Sequence, residues 1–231
     1  MDAFSTDAAL AGVRLIEREG VRVVYPPGQT CCGQPAYNSG FREEAKAVAA
    51  RQVGLFPEQW PVVVPSGSCA ATMKHHYPRL FLNDPLLPQV EAFSARVFEL
   101  TEFLVNVLHV RLDDRGEPVR VTWHSSCRAA RELGIRDEPK MLLGQLRNVQ
   151  LIELQHETEC CGFGGAFAVK QPEVSAAMVE DKVNDICAAG AEYVLALDTG
   201  CLLNIGGTLQ FRNRPVIAKH IAEFLWERVR D

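Results

Sequence analysis

Apolar and polar positions along this chain switch between two periods, and the whole pattern comes round twice. The first round holds a β-branched stretch with period-two spacing, GVRVVY from Gly20 to Tyr25. A helix-period segment follows, GFREEAKAVAARQVGLF from Gly40 to Phe56. The apolar run PVVV from Pro61 to Val64 comes next, and ARVFELTEFLVNVL from Ala95 to Leu108 closes the round as a helix. The second round repeats this order with NVQLIEL from Asn148, PEVSAAMVEDKVNDICAAG from Pro172, YVLAL from Tyr193 and RPVIAKHIAEFLWERV from Arg214. Short β-branched runs predict strands, and segments of period 3.6 predict helices packed on them. Their alternation predicts an α/β fold of short parallel sheets flanked by helices, in two pseudo-symmetric repeats.

The second round has an additional front piece. EPVRVTWHSSC, from Glu117 to Cys127, reads as a strand ending in a cysteine, with a helical stretch after it. The run Asp113-Asp114-Arg115-Gly116-Glu117-Pro118 before it is the expected linker. The repeats are therefore expected at 1–112 and 113–231. The first round opens on the helical stretch MDAFSTDAALAGVRLIEREG instead. With the cysteine spacing of the second round, the matching strand-end cysteine would fall three positions before Met1. The first repeat is thus expected to lack its N-terminal strand.

Chemistry enters with the turns. Each round places Cys-Cys-Gly after its alternating run, as QTCCGQPAY (Gln29 to Tyr37) and ECCGFGGAF (Glu159 to Phe167). Each round also ends its apolar run in a cysteine, PSGSC at Cys69 and DTGC at Cys201. No apolar run reaches the roughly 18–20 residues of a membrane span, and MDAFSTDAAL has neither the basic nor the apolar region of a signal peptide. A cytoplasmic setting is expected, and there eight cysteines point to metal, cluster or redox chemistry rather than disulfides. Only Cys187, in a helical pattern without a partner spacing, reads as a plain buried thiol. The net charge of −5 argues against nucleic acid or an anionic membrane as partner.

The second round gathers Cys127, Cys160, Cys161 and Cys201 at or just beyond strand carboxyl ends, where open parallel sheets bind ligands. The first round offers Cys31, Cys32 and Cys69. Four thiolates suit either tetrahedral zinc or an iron–sulfur cluster. Structural zinc sites usually draw on Cys-x2–4-Cys knuckles, which neither round contains, and adjacent cysteines diverge from one backbone point, so a cluster is the better fit. Glycines after the pair, Gly162, Gly164 and Gly165, let N–H groups approach sulfur.

Two spaced Cys-Cys-Gly motifs, with TCCGQPAYNSG, PSGSC and ECCGFGGAFAV around them, make this sequence resemble the cysteine-rich CCG-domain proteins, and specifically the lactate utilization protein A group. The B subunit of heterodisulfide reductase and the iron–sulfur subunit of glycolate oxidase share the pattern. The resemblance covers essentially the whole chain. It implies [4Fe–4S]-type clusters on Cys127, Cys160, Cys161 and Cys201 and, where the upstream cysteine is present, on Cys31, Cys32 and Cys69. It implies electron transfer in the oxidation of L-lactate, or a similar 2-hydroxy acid, to pyruvate. The implied partners are a ferredoxin-like iron–sulfur subunit and a third small subunit. The family's Cys-x-x-Cys loses its first thiolate here, with Ser66 and Asp198 in its place. A thiol–disulfide reductase subunit and a zinc-stabilised module are the other functions these residues allow.

Among other side chains, His124 precedes Cys127 by three residues and could serve either a cluster sulfur or the core. Asp198 reads as an oxygen ligand or, in preference, a solvated or capping group. His75 and His76 read as helix surface, His156 and His220 as ordinary, and Tyr37 and Phe167 as core or cluster-shielding aromatics. No P-loop and no G-x-G-x-x-G fingerprint follows a strand, so substrate oxidation calls for a second subunit or the cluster itself.

Overall fold

The structure is a computed structural model that describes residues 5–230. Two parallel sheets carry the architecture. The smaller pairs β1 (Val62–Val64) with β2 (Val97–Glu99), placing Val64 beside Glu99. The larger has four strands: β3 (Val119–Trp123), β4 (Val149–Ile152), β5 (Tyr193–Ala196) and β6 (Ile217–His220), in the order β4-β3-β5-β6. Every pair is parallel, and Ala196 lies beside His220 as Val64 lies beside Glu99. Helices cover both sheets, as the apolar faces of parallel strands require. The expected α/β class with short parallel sheets is what forms. No helix among the described residues is long and apolar enough to cross a membrane.

The repeat shows in the matching order: β1 and β2 correspond to β5 and β6. Two expectations change. The closing segments of both rounds are not helices throughout; each starts as an edge strand, β2 or β6, and turns into a helix at Leu100 or Ile221. Glu99 and His220 hold equivalent corner positions, and the side chain of each caps the helix that follows. The stretch from Val21 to Pro26 forms no strand, and Val21, Val24 and Tyr25 are exposed. Its counterpart β4 is held by a ladder to β3. The described residues contain no first-round equivalent of β3, so this β-prone stretch has nothing to pair with. The expected upstream strand and cysteine lie outside the described residues.

The larger core joins both rounds. Leu15, Leu100 and Leu104 pack with Val121, Trp123, Leu195 and Leu225, and the helix Thr6–Glu17 lies along the helix Ile221–Val229. The expected linker is anchored, not loose. Asp114 is 1% exposed and takes hydrogen bonds from Arg228 Nε (2.7 Å) and Nη2 (2.9 Å) and from the backbone N–H of Asn148 (2.7 Å). Burial raises the Asp114 pKa, but Arg228 and the backbone donors outweigh it and hold the carboxyl below its usual range.

Glu99 is buried the opposite way. One oxygen accepts from the N–H and hydroxyl of Thr101 and the N–H of Glu102, while the other has no partner. Burial dominates and lifts its pKa to about 8, so the carboxyl is protonated at neutral pH.

Two predictions follow from these buried acids. Arg228→Met strands Asp114 without its counter-charge and should lower stability by about 3 kcal/mol in urea unfolding; a loss below about 1 kcal/mol would contradict the ion pair's role. A folded pKa raised above the unfolded one gives a contribution present at low pH and lost as pH rises. The stability of Glu99→Gln relative to the wild type should therefore rise by about 1.4 kcal/mol per pH unit between roughly pH 5 and 8. Parallel stability curves would show that Glu99 is not held protonated.

Candidate metal centre

The cysteines sit where the topology ends its strands. Cys127 follows β3, Cys160 and Cys161 follow β4, and Cys201 lies in the first turn of the helix Thr199–Phe211 that follows β5. Hydrogen bonds tie these three loops together. The His124 N–H continues the ladder to Leu195 O at 2.9 Å. Trp123 donates to the Ser125 hydroxyl, and Ser125 donates to Glu157 at 2.7 Å, joining the loop after β3 to the loop after β4. Lys182, buried on the helix Pro172–Ala188, donates to the carbonyls of His156 and Glu157, and Asp185 accepts from the N–H groups of Gln155 and His156. Asn204 donates to the Cys161 carbonyl at 2.7 Å, binding the Cys-Cys-Gly turn to the helix that carries Cys201. Gly162 closes that turn at φ +78°, where a Cβ would meet the Ser175 carbonyl at 2.5 Å.

The result is a row of four sulfurs: Cys127 beside Cys160, then Cys161, then Cys201. Cys160 is held well below the usual thiol range by Cys127 first, then Cys161, with the Gly162 N–H adding a bond to its sulfur at 3.4 Å. Cys201 is lowered chiefly by Cys161, with His124 assisting against burial. Cys127 and Cys161 are raised, first by Cys160 and then by the remaining neighbours and burial. Neighbouring sulfurs are thus pushed in opposite directions along the row. Such a row gives up its last protons readily to a thiophilic cation.

The first round brings together Cys31, Cys32 and Cys69. The sulfurs of Cys32 and Cys69 are 3.3 Å apart, and Tyr77 donates to the Cys32 carbonyl at 2.9 Å. Cys31 is exposed, with its pKa lowered to about 6, mainly by Cys32. Cys187, expected as a plain buried thiol, is half-buried and packs against the core cluster around Val183 and Ile205.

Other side chains fall differently from their sequence-based expectations. His76 is not surface: it is 9% exposed and bridges the rounds, with Nδ1 3.2 Å from the Tyr37 hydroxyl and Nε2 2.6 Å from Glu132. Phe167 is exposed rather than core, and Tyr37 packs on His76. His156 is exposed beside Glu159, and His220 spends both nitrogens on Leu197 O and the Ala222 N–H.

Asp198 is buried rather than solvated, and although it stands at the N-cap of its own helix its side chain bonds elsewhere. A single oxygen, Oδ1, accepts from the Ser66 hydroxyl (2.7 Å), the Ser68 hydroxyl (2.7 Å) and the Ser68 N–H (3.0 Å). Ser68 lies in the first turn of the helix Gly67–Ala71, so Asp198 caps the helix of the opposite round. Ser66 and Asp198 occupy the same position in their rounds, so the contact pairs equivalent positions of the two rounds. The fit is tight, since a Cβ on Gly67 would come within 2.5 Å of the Ala129 Cβ. The aligned pair Ser66 and Asp198 is legible in the sequence; that they touch is not.

The donor set fits a metal group on a further count. Among the described residues, eight buried side-chain polar atoms lack a hydrogen-bond partner, and five belong to His124, Ser126, Arg128 and Thr199. All four residues lie within three positions of Cys127 or Cys201. Orphaned polar atoms concentrated around four sulfurs mark a place built to receive something polar.

Comparison with known proteins agrees with this geometry. A family model for a cysteine-rich domain, CCG, matches residues 1–74 and 121–206, the segments that hold both Cys-Cys-Gly turns. The chain belongs to the CCG cysteine-rich domain family. CCG-domain relatives named lactate utilization protein A match it along nearly their full length. The protein from an Exiguobacterium species is 44% identical over 100% of this chain and 95% of its own. Those from Geobacillus kaustophilus and Bacillus subtilis are each 44% identical, over 97% and 99% of this chain and 94% and 96% of their own.

Removing the cross-round cap should loosen both halves. Asp198→Ala is expected to cost about 3 kcal/mol, and Asp198→Asn, which keeps an acceptor oxygen without the charge, about 1 kcal/mol. Chemical denaturation measures both, and equal losses would mean that the charge contributes nothing.

Proposed function

We propose that this protein is an iron–sulfur electron-transfer subunit acting in the oxidation of L-lactate, or a similar 2-hydroxy acid, to pyruvate. Cys127, Cys160, Cys161 and Cys201 hold a [4Fe–4S]-type cluster, and Cys31, Cys32 and Cys69 form a second, three-sulfur site. The observation that carries the reading is the row of four sulfurs at the carboxyl edge of the larger sheet, ringed by unpartnered polar atoms. The name borne by the CCG relatives supports the lactate assignment. When bound, the cluster supplies a one-electron store whose potential follows from its charge and the hydrogen bonds to its sulfurs. The chain's part is to present thiolates from three loops locked by Ser125, Glu157, Lys182 and Asn204.

The repeats at 1–112 and 113–231 then act as paired cluster carriers. Asp198, Ser66 and Ser68 keep the first turns that bear Cys69 and Cys201 side by side. With no nicotinamide or flavin fingerprint in the sequence, a ferredoxin-like iron–sulfur subunit and a third small subunit complete the reaction. The cytoplasm, where thiols stay reduced, suits such a chain.

The test is anaerobic reconstitution of the full chain with iron and sulfide, followed by metal and sulfide analysis and EPR. Cys160→Ser and Cys161→Ser should lose the larger share of bound iron, and Cys31→Ser and Cys32→Ser a smaller share. With the partner subunits present, L-lactate should reduce the wild-type centre, whereas a disulfide substrate should not exchange electrons with it. Stoichiometric zinc without acid-labile sulfide would overturn the proposal.

A further inference from the structure

Among the described residues, His124 is the one side chain with two buried polar atoms that lack a hydrogen-bond partner. It is 0% exposed, and neither ring nitrogen has a hydrogen-bond partner. The other fully enclosed imidazole, His220, uses both of its nitrogens. His76 and His109 also find oxygen partners, and His156 sits exposed beside Glu159. A buried imidazole left unbonded in this way needs a partner that the polypeptide does not provide.

Its position indicates the partner. One ring nitrogen of His124 and the sulfurs of Cys161 and Cys201 all lie within 4.8 Å of one another. Metal–sulfur and metal–nitrogen bonds of about 2.3 and 2.0 Å bring such ligand atoms within that span around a common metal. The backbone fixes the ring there, because the His124 N–H is tied to Leu195 O at the end of β3.

We propose that His124 is a direct ligand of the metal group in the second repeat, giving one imidazole nitrogen to iron alongside the cysteine sulfurs. The site is then a mixed nitrogen–sulfur centre. A neutral imidazole in place of a further thiolate leaves the centre less negative than an all-thiolate one would be, which favours its reduced state. The inference rests on the cluster reading above, and the following experiment separates the two.

The full chain is prepared with natural-abundance and with ¹⁵N-labelled histidine, reconstituted anaerobically with iron and sulfide, and assayed for both. Pulsed EPR of the paramagnetic state is then recorded. The expected result is a nitrogen coupling of directly bound strength that changes with the label. It should disappear in His124→Cys, a variant that retains iron through the substituted thiolate and has a lower reduction potential. The labelled wild-type spectrum is decisive even if the variant fails to fold. Iron and sulfide present without a bound-strength histidine coupling, or a coupling that survives in His124→Cys, would overturn the ligand assignment and leave the cluster reading standing. Zinc without sulfide would remove the cluster reading itself.

Discussion

One oxygen of Asp198 takes three hydrogen bonds from Ser66 and Ser68, and much of the molecule is arranged around that contact. The two residues that start equivalent helices meet each other directly. A charged acceptor in a buried place is tolerated only when its donors are fixed. Here the donors belong to the other repeat, so neither helix start is fully satisfied alone. The first turns that carry Cys69 and Cys201 are set side by side as a consequence. The packing of Thr6–Glu17 on Ile221–Val229 joins the two repeats a second time.

The two sulfur sites differ because their surroundings differ. In the second repeat a central strand, β3, is paired on both sides, and three loops leave the same sheet edge. Their cross-links through Ser125, Glu157 and Asn204 restrict the sulfurs without filling the space among them. The remaining polar atoms there, on His124, Ser126, Arg128 and Thr199, have no internal use. In the first repeat the sheet has two strands, Cys31 is exposed, and the segment before it runs without a ladder. The opposite pulls on neighbouring sulfurs of the four-sulfur row follow from proximity, since adjacent thiols cannot all ionise without a cation among them.

Much of the architecture was legible in the sequence. The runs VVV, VRVTW, VQLI and YVLA become strands, and the segments from Arg42 and Pro172 become helices. The strands at Val97 and Ile217 were hidden, because FEL and AKH carry a polar residue where an edge strand turns into a capped helix. The Val21–Tyr25 stretch has strand propensity without a partner, and propensity alone does not make a ladder. The cysteine set could be read from motif and spacing. The histidines were harder to place: His76 and His124 acquire their surroundings from segments far away in the chain, and local pattern does not encode that. Asp198 was visible as a departure from the Cys-x-x-Cys pattern, but its partners lie 130 and 132 residues away.

The central claim is that the sulfurs after β3, β4 and β5 surround one iron–sulfur group. Iron K-edge X-ray absorption on the anaerobically reconstituted chain tests it most directly. The account predicts a first shell dominated by sulfur with a resolved iron–iron distance, and loss of the larger share of bound iron when Cys160 and Cys161 are replaced together by serine. A first shell of oxygen or nitrogen alone, with no iron–iron scattering, would contradict it.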